Sequence, residues 1–222
     1  MLKRIFDFVT VLLISAVLLM GATDARGQKI SLIRDAEIEN TIRNFSTPVF
    51  LAANLDPSAV KIHLVRDKPL NAFVAGGQRL FINTGMLTQA KSAEQIIGVI
   101  AHETGHIAGG HLTRLQNALE TSSTPMILAY LLGGAAFGAG RGDIGSAIIG
   151  AGKSISVRNF MTYSRTQESA ADQAAMKFLD RASISSKGLL EFMELLSEQD
   201  LLSPERQDPY VLTHPLTRDR IA

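Results

Sequence analysis

The stretch "VIAHETGHIAGGHLT", Val99 to Thr113, constrains the fold of this chain more than any other. His102 and His106 stand four residues apart in an apolar run, and four residues make about one helical turn. On a helix both imidazoles leave the same face and can grip one metal ion. Holding two such polar groups on an apolar helix without a partner would be costly. Two ligands do not complete a site, so the fold must bring a third group to this helix. Glu103 projects about 100° further round, beside the ion rather than onto it, where it can act on a metal-bound water.

The glycines add a second constraint. Gly98, Gly105, Gly109 and Gly110 each weaken a helix by about 1 kcal/mol relative to alanine. A helix that keeps them needs another backbone packed close against it. Ser92 with Gln95 forms a capping box that starts the helix, and the pattern lets it continue through Leu119.

Composition narrows the metal and the partner. The chain has no cysteine, so disulfides and thiolate-held zinc are excluded and the ligands must be His, Asp, Glu or water. Zinc suits two imidazoles and an oxygen ligand with one position left open. A length of 222 residues allows one good-sized domain, and 46% apolar residues allow a real core. The net charge of +1 is spread without a basic stripe, which argues against nucleic acid as the main partner. At the start, Lys3 and Arg4 precede an uncharged run from Phe8 to Met20, followed by "GATDARGQ". That is the layout of a secretory signal peptide over residues 1–27, with a domain over 28–222 that works in the periplasm or outside the cell.

Ile38, Ile42 and Phe45 recur at helical spacing between Ser31 and Phe45, and "STPVF" is expected to stop that helix. "VKIHLV", "LNAFVA" and "QRLFIN" read as short strands separated by "RDKP" and the glycine pair Gly76–Gly77, giving a small antiparallel sheet. The glycine-rich segment Pro125 to Gly152 reads as a buried or half-buried helical hairpin, or as a mobile cover over the site that touches a membrane. Neither arm reaches a comfortable spanning length. Tyr163 to Ala182 and Lys187 to Gln199 read as helices, so the whole is α+β and mostly helical.

Two candidates compete for the third ligand. In the extended motif H-E-x-x-H-x-x-G-x-x-H, Gly109 fits, but Leu112 stands where the histidine belongs and His111 is one position early. His111 then reads as an exposed histidine near the helix end. The alternative is Glu168 in "SRTQESAADQAAM", with Asp172 four residues on along the same face. That pair suits a ligating carboxylate plus a second carboxylate that orients an imidazole. Ser169, Ala170, Ala171, Ala174 and Ala175 would let this helix pack against the glycines of the first.

Five pieces in order, "NAFVAGG", "NTGML", "AHETGH", "YSRTQESAAD" and "THPLTRDRI", spread over Asn71 to Ile221. Together they resemble metallopeptidase family forty-eight, the group of the CAAX prenyl protease, the HtpX heat-shock protease and the periplasmic β-barrel assembly-enhancing protease. The resemblance implies a zincin-like (gluzincin) fold and a zinc endopeptidase holding one Zn2+ per chain through His102, His106 and Glu168. It implies Glu103 as the base that activates a zinc-bound water, and Asp172 as an orienting or proton-donating carboxylate. It places His214 either at the oxyanion or in the open coordination position as a reversible plug, with Arg220 in the family's arginine position. Protein or peptide substrates and a role in quality control of exported or outer-membrane proteins follow from it, with peripheral contact to a membrane left open. The competing reading is a zinc-containing chaperone or binding protein whose site is blocked by His214.

Overall fold

The computed structural model describes residues 31–138 and 141–197, together with His214 and Arg220. The segment read as a signal peptide, residues 1–27, and most of the carboxy-terminal loop lie outside the described residues. The elements are β1 (Leu32–Ile33), α1 (Ala36–Ala52), β2 (Lys61–Val65), β3 (Ala72–Ala75), β4 (Arg79–Asn83), α2 (Thr84–Gln89), α3 (Ala93–Ala108), α4 (His111–Gly138), α5 (Gly142–Arg181) and α6 (Lys187–Ser197). The fold is mostly helical with one small sheet.

Helix α1 departs from expectation at its end. Asp35 caps it, accepting hydrogen bonds from the backbone of Glu37 and Ile38, but "STPVF" does not stop it. The hydroxyl of Ser46 donates to the Ile42 carbonyl at 2.6 Å and that of Thr47 to the Arg43 carbonyl at 2.8 Å. These bonds serve the backbone in the turn that Pro48 disturbs. Beyond the proline, Val49 and Phe50 are both fully buried. Their burial, about 1.5–3 kcal/mol each, outweighs the roughly 3 kcal/mol that an interior proline costs.

The sheet is mixed, in the order β1-β2-β4-β3. β1, in a segment read as helix, pairs antiparallel with β2, and β3 pairs antiparallel with β4 across a turn where Gly76 and Gly77 take positive φ. The pairing of β2 with β4 is parallel, so the sheet is not antiparallel throughout. The connection after β2 explains this. Its carbonyls at Asp67 and Lys68 accept from Gly85, Thr84 and Gln89 at the start and end of α2. The chain is thereby carried past β4 before β3 begins, and β3 becomes an outermost strand.

Ile62, Leu64, Leu80 and Ile82 alternate inward from this sheet and pack with Val99 and Ile100 of α3. On the other side of α3, Ala101 packs with Ala175, Phe178, Leu189 and Met193. Helix α3 is therefore wrapped, with every residue from Gly98 to His106 buried. Its glycines are contact points. A Cβ on Gly105 would lie 2.7 Å from the Ala171 carbonyl oxygen of α5, as the small-residue pattern implies. A Cβ on Gly98 would lie 2.7 Å from the backbone of Leu189, so this glycine serves α6 instead. Half of the expected capping box forms: Ser92 accepts from the Gln95 backbone, while the Gln95 side chain accepts from Lys91, one residue before the cap.

Helix α3 does not continue to Leu119. Gly110 has φ +62° and breaks it, and His111 opens α4. Helices α4 and α5 then form a long hairpin whose second arm extends to Arg181 and carries Glu168 and Asp172.

Candidate metal centre

Four side chains from three parts of the chain converge on one point. His102 and His106 come from the buried face of α3 and Glu168 from α5, where Gly105 lets the two backbones touch. His214 comes from the carboxy-terminal segment. The Nε2 atoms of His102 and His106 are 3.0 Å apart, and each lies 3.4 Å from a Glu168 oxygen. His214 Nδ1 is 3.3 Å from His102 Nε2 and 3.1 Å from Glu168 Oε2.

This donor set fits zinc. Ligands about 2.0–2.1 Å from a tetrahedral ion stand roughly 3.4 Å from one another, and two imidazoles plus a carboxylate are ordinary zinc ligands. Glu103 gives a second indication. It is fully buried, and among the described residues no side chain comes within hydrogen-bond geometry of its oxygens, the backbone of Val74 being their main polar neighbour. Its Oε1 lies 3.5 Å from His214 Nε2. A buried carboxylate with spare acceptor capacity beside such a cluster is what a site for a polarised water requires.

The ligands are braced from behind. Asp172 Oδ1 lies 2.8 Å from His102 Nδ1, so with Nε2 free to bind a metal, Nδ1–H donates to Asp172. Asp172 is itself clamped by Arg220, through Nε at 2.6 Å and Nη2 at 3.0 Å. The same guanidinium reaches Glu168 Oε2 and the His214 carbonyl, both at 3.2 Å. Arg220 thus ties together three of the groups that the sequence reading set around the ion, and "TRDRI" gave only a motif match as its signal.

Charge is distributed unevenly across the cluster. Burial opposes protonation of His102, but the Asp172 and Glu168 carboxylates outweigh it and push the imidazole up to about 9. His106 moves the other way, to about 2, through burial and the neighbouring His102. Burial drives the Glu103 carboxyl above its ordinary range against the pull of His214 and His102. Glu168 and Asp172 are held low despite burial, Glu168 by His102 and His214, Asp172 by His102 and Arg220.

His111 corrects the sequence reading. It is 5% exposed rather than a surface residue, and its Nδ1 lies 3.0 Å from His106 Nδ1, on the side away from the cluster. It stands outside the group of convergent ligands, yet it touches one of them.

Comparison with known proteins accords with this geometry. The chain matches peptidase family M48 over residues 33–222. It belongs to that family. The beta-barrel assembly-enhancing protease of Escherichia coli (strain K12) is 23% identical over 191 residues, covering 86% of this chain and 39% of that protein. Metalloprotease LoiP of the same organism is 26% identical over 170 residues, 75% of this chain and 61% of that one. The mitochondrial metalloendopeptidase OMA1 of Schizosaccharomyces pombe is 25% identical over 164 residues, 72% of this chain and 44% of that one. The chain therefore spans about two fifths of the beta-barrel assembly-enhancing protease it matches. As in the family at large, the fold of this M48 chain is zincin-like.

Proposed function

We propose that this M48 chain is a zinc-dependent endopeptidase of the bacterial cell envelope, acting on exported or outer-membrane proteins. The convergence of His102, His106 and Glu168 beside the buried carboxylate of Glu103 carries the reading. The likeness to the beta-barrel assembly-enhancing protease of Escherichia coli and the signal-like amino terminus support the compartment. Zinc held by His102, His106 and Glu168 would polarise the scissile carbonyl and acidify a water. Glu103 takes the proton from the attacking water and returns it to the leaving amine. Asp172 and Arg220 hold His102 with its proton on Nδ1.

A substrate path runs beside the site. A groove of about 320 Å³ lies between Val74, Gly76 and Gln78 at the end of β3 and Gly110, Leu112 and Thr113 at the start of α4, with His106 in its wall. β3 is an outermost strand, so an extended peptide can add to it through main-chain hydrogen bonds while its side chains enter the groove. Zinc-dependent cleavage of casein by the full chain tests the proposal, and inertness at every zinc concentration would end it.

Zinc uptake has a proton signature. With His102 near 9 and His106 near 2, binding at pH 7 is expected to release at least one proton, that of His102. Calorimetry in buffers of different ionisation enthalpy reads this number directly.

The α4–α5 hairpin supports peripheral contact with lipid. Where its arms touch, the buried residues are small: Ala129, Gly133, Gly145, Gly152 and Ser156. Most large apolar residues of the first arm point outward, with Ile127, Leu128, Tyr130, Leu131 and Leu132 all more than half exposed, while Ile149 of the second packs against Gly133. Packing on small residues with large ones outside is the reverse of a water-facing hairpin and matches helices in lipid. Arg114, Lys153 and Arg165 are exposed along the same arms and would meet anionic headgroups. No described helix is long and apolar enough to cross a membrane; the proposed contact is peripheral. The full chain is expected to sediment with phosphatidylethanolamine/phosphatidylglycerol vesicles. Leu128→Ser with Leu131→Ser should weaken this at least about tenfold; equal sedimentation of both forms would refute it.

A further inference from the structure

We propose that His111 is a positioning residue that sets the orientation and tautomer of His106. The inference rests on reading His102, His106 and Glu168 as a zinc site. His102 has Asp172 behind its Nδ1. The group at the equivalent place behind His106 is the His111 imidazole, Nδ1 to Nδ1 at 3.0 Å, with the two rings at 86° to each other.

The local backbone is arranged around this contact. In an unbroken helix, residues five apart lie about 140° apart around the axis and roughly 7.5 Å along it, so their side chains do not meet. Helix α3 ends at Ala108, and Gly110 takes φ +62°, a conformation that side chains other than glycine rarely adopt. This break turns the first residue of α4 back onto the last turn of α3. Gly109 leaves room for the ring, because a Cβ there would overlap His111 Nε2 and lie 2.6 Å from its Cδ2. Two glycines that weaken the motif helix thus have a single explanation in the placement of His111.

Proton placement follows from the geometry. His106 Nε2 faces His102 and Glu168 and must keep its lone pair to bind an ion. Its proton therefore sits on Nδ1 and is donated to His111 Nδ1, and His111 carries its own proton on Nε2. A neutral acceptor fits this corner, because the centre already holds the carboxylates of Glu103, Glu168 and Asp172.

The test compares zinc affinity, by chelator competition, in the full chain and three variants. Asparagine can place an amide oxygen where His111 Nδ1 stands, whereas leucine of similar size offers no acceptor. His111→Leu is expected to lose about 10–100-fold in zinc affinity, and His111→Asn to stay within about threefold of the parent. Gly109→Ala, which keeps His111 but displaces its ring, should lose affinity like His111→Leu. Thermal unfolding of the zinc-free forms checks that each is folded. Should His111→Leu fail to fold, retained affinity in His111→Asn with loss in Gly109→Ala still decides for the proposal. Equal affinities in His111→Leu and His111→Asn would overturn it, as would parental affinity in Gly109→Ala. Failure of the parent itself to bind zinc would instead fault the zinc reading on which the proposal stands.

Discussion

Replacing Glu103 with glutamine is expected to lower the rate of casein cleavage by about 10²–10⁴-fold while zinc affinity stays within a few-fold of the parent. The two readouts separate because Glu103 lies beside the cluster and is not one of its convergent ligands. Its side chain is fully buried, and among the described residues its oxygens meet the Val74 backbone but no side-chain hydrogen-bond partner. Glutamine fills the same space and its amide oxygen can still accept from the Val74 backbone, so the ability to accept a proton is what is lost. Parent and variant with equal, low activity would favour a zinc-containing binding protein, in which the site is held shut. His214 decides how it is shut. Its Nδ1 stands 3.1–3.3 Å from two of the convergent ligand atoms, and its Nε2 stands 3.5 Å from Glu103. If it plugs the open position, His214→Ala raises cleavage; if it steadies the oxyanion, the same change lowers it.

What could be read beforehand follows the range of the forces involved. The H-E-x-x-H pair is local, fixed by one helical turn. The carboxylate helix was legible because the small residues around Glu168 match the glycines of α3, and Gly105 against Ala171 is that contact. Strands β2, β3 and β4 were visible as alternation, but their order was not. A parallel β2–β4 pairing depends on how the connection from Arg66 to Asn71 is held by α2, a tertiary effect without a periodic signature. Pro48 misled for a similar reason: its local cost is real, but burial of Val49 and Phe50 by distant residues overrides it. His111 was misplaced because the helix was extended through Gly109 and Gly110. Taken as a break, the same two glycines put His111 beside His106. The role of Arg220 depends on contacts made 48 residues back along the chain, to which its motif gave no key.

Replacing Arg220 with leucine is expected to destabilise the zinc-free chain by about 3–5 kcal/mol in urea unfolding at neutral pH. Arg220 is 4% exposed in its side chain and bonds Asp172 through two nitrogens while reaching Glu168 and the His214 carbonyl. Removing it leaves the Asp172 and Glu168 carboxylates to share His102 as their cation, and burial of an under-compensated charge is the large term. The pH dependence gives the mechanism away. Asp172 is held below the ordinary carboxyl range, against burial, by His102 and Arg220. Such a carboxylate stabilises the fold above its unfolded pKa, about 3.9, and the contribution fades as pH falls through its lower folded value. The difference between parent and variant should therefore be widest near neutral pH and shrink as the medium becomes acid. Bound zinc would supply part of the lost positive charge, so saturating zinc should narrow the gap as well. A gap that ignores both pH and zinc would mean that Arg220 acts by packing its aliphatic stem rather than by its charge.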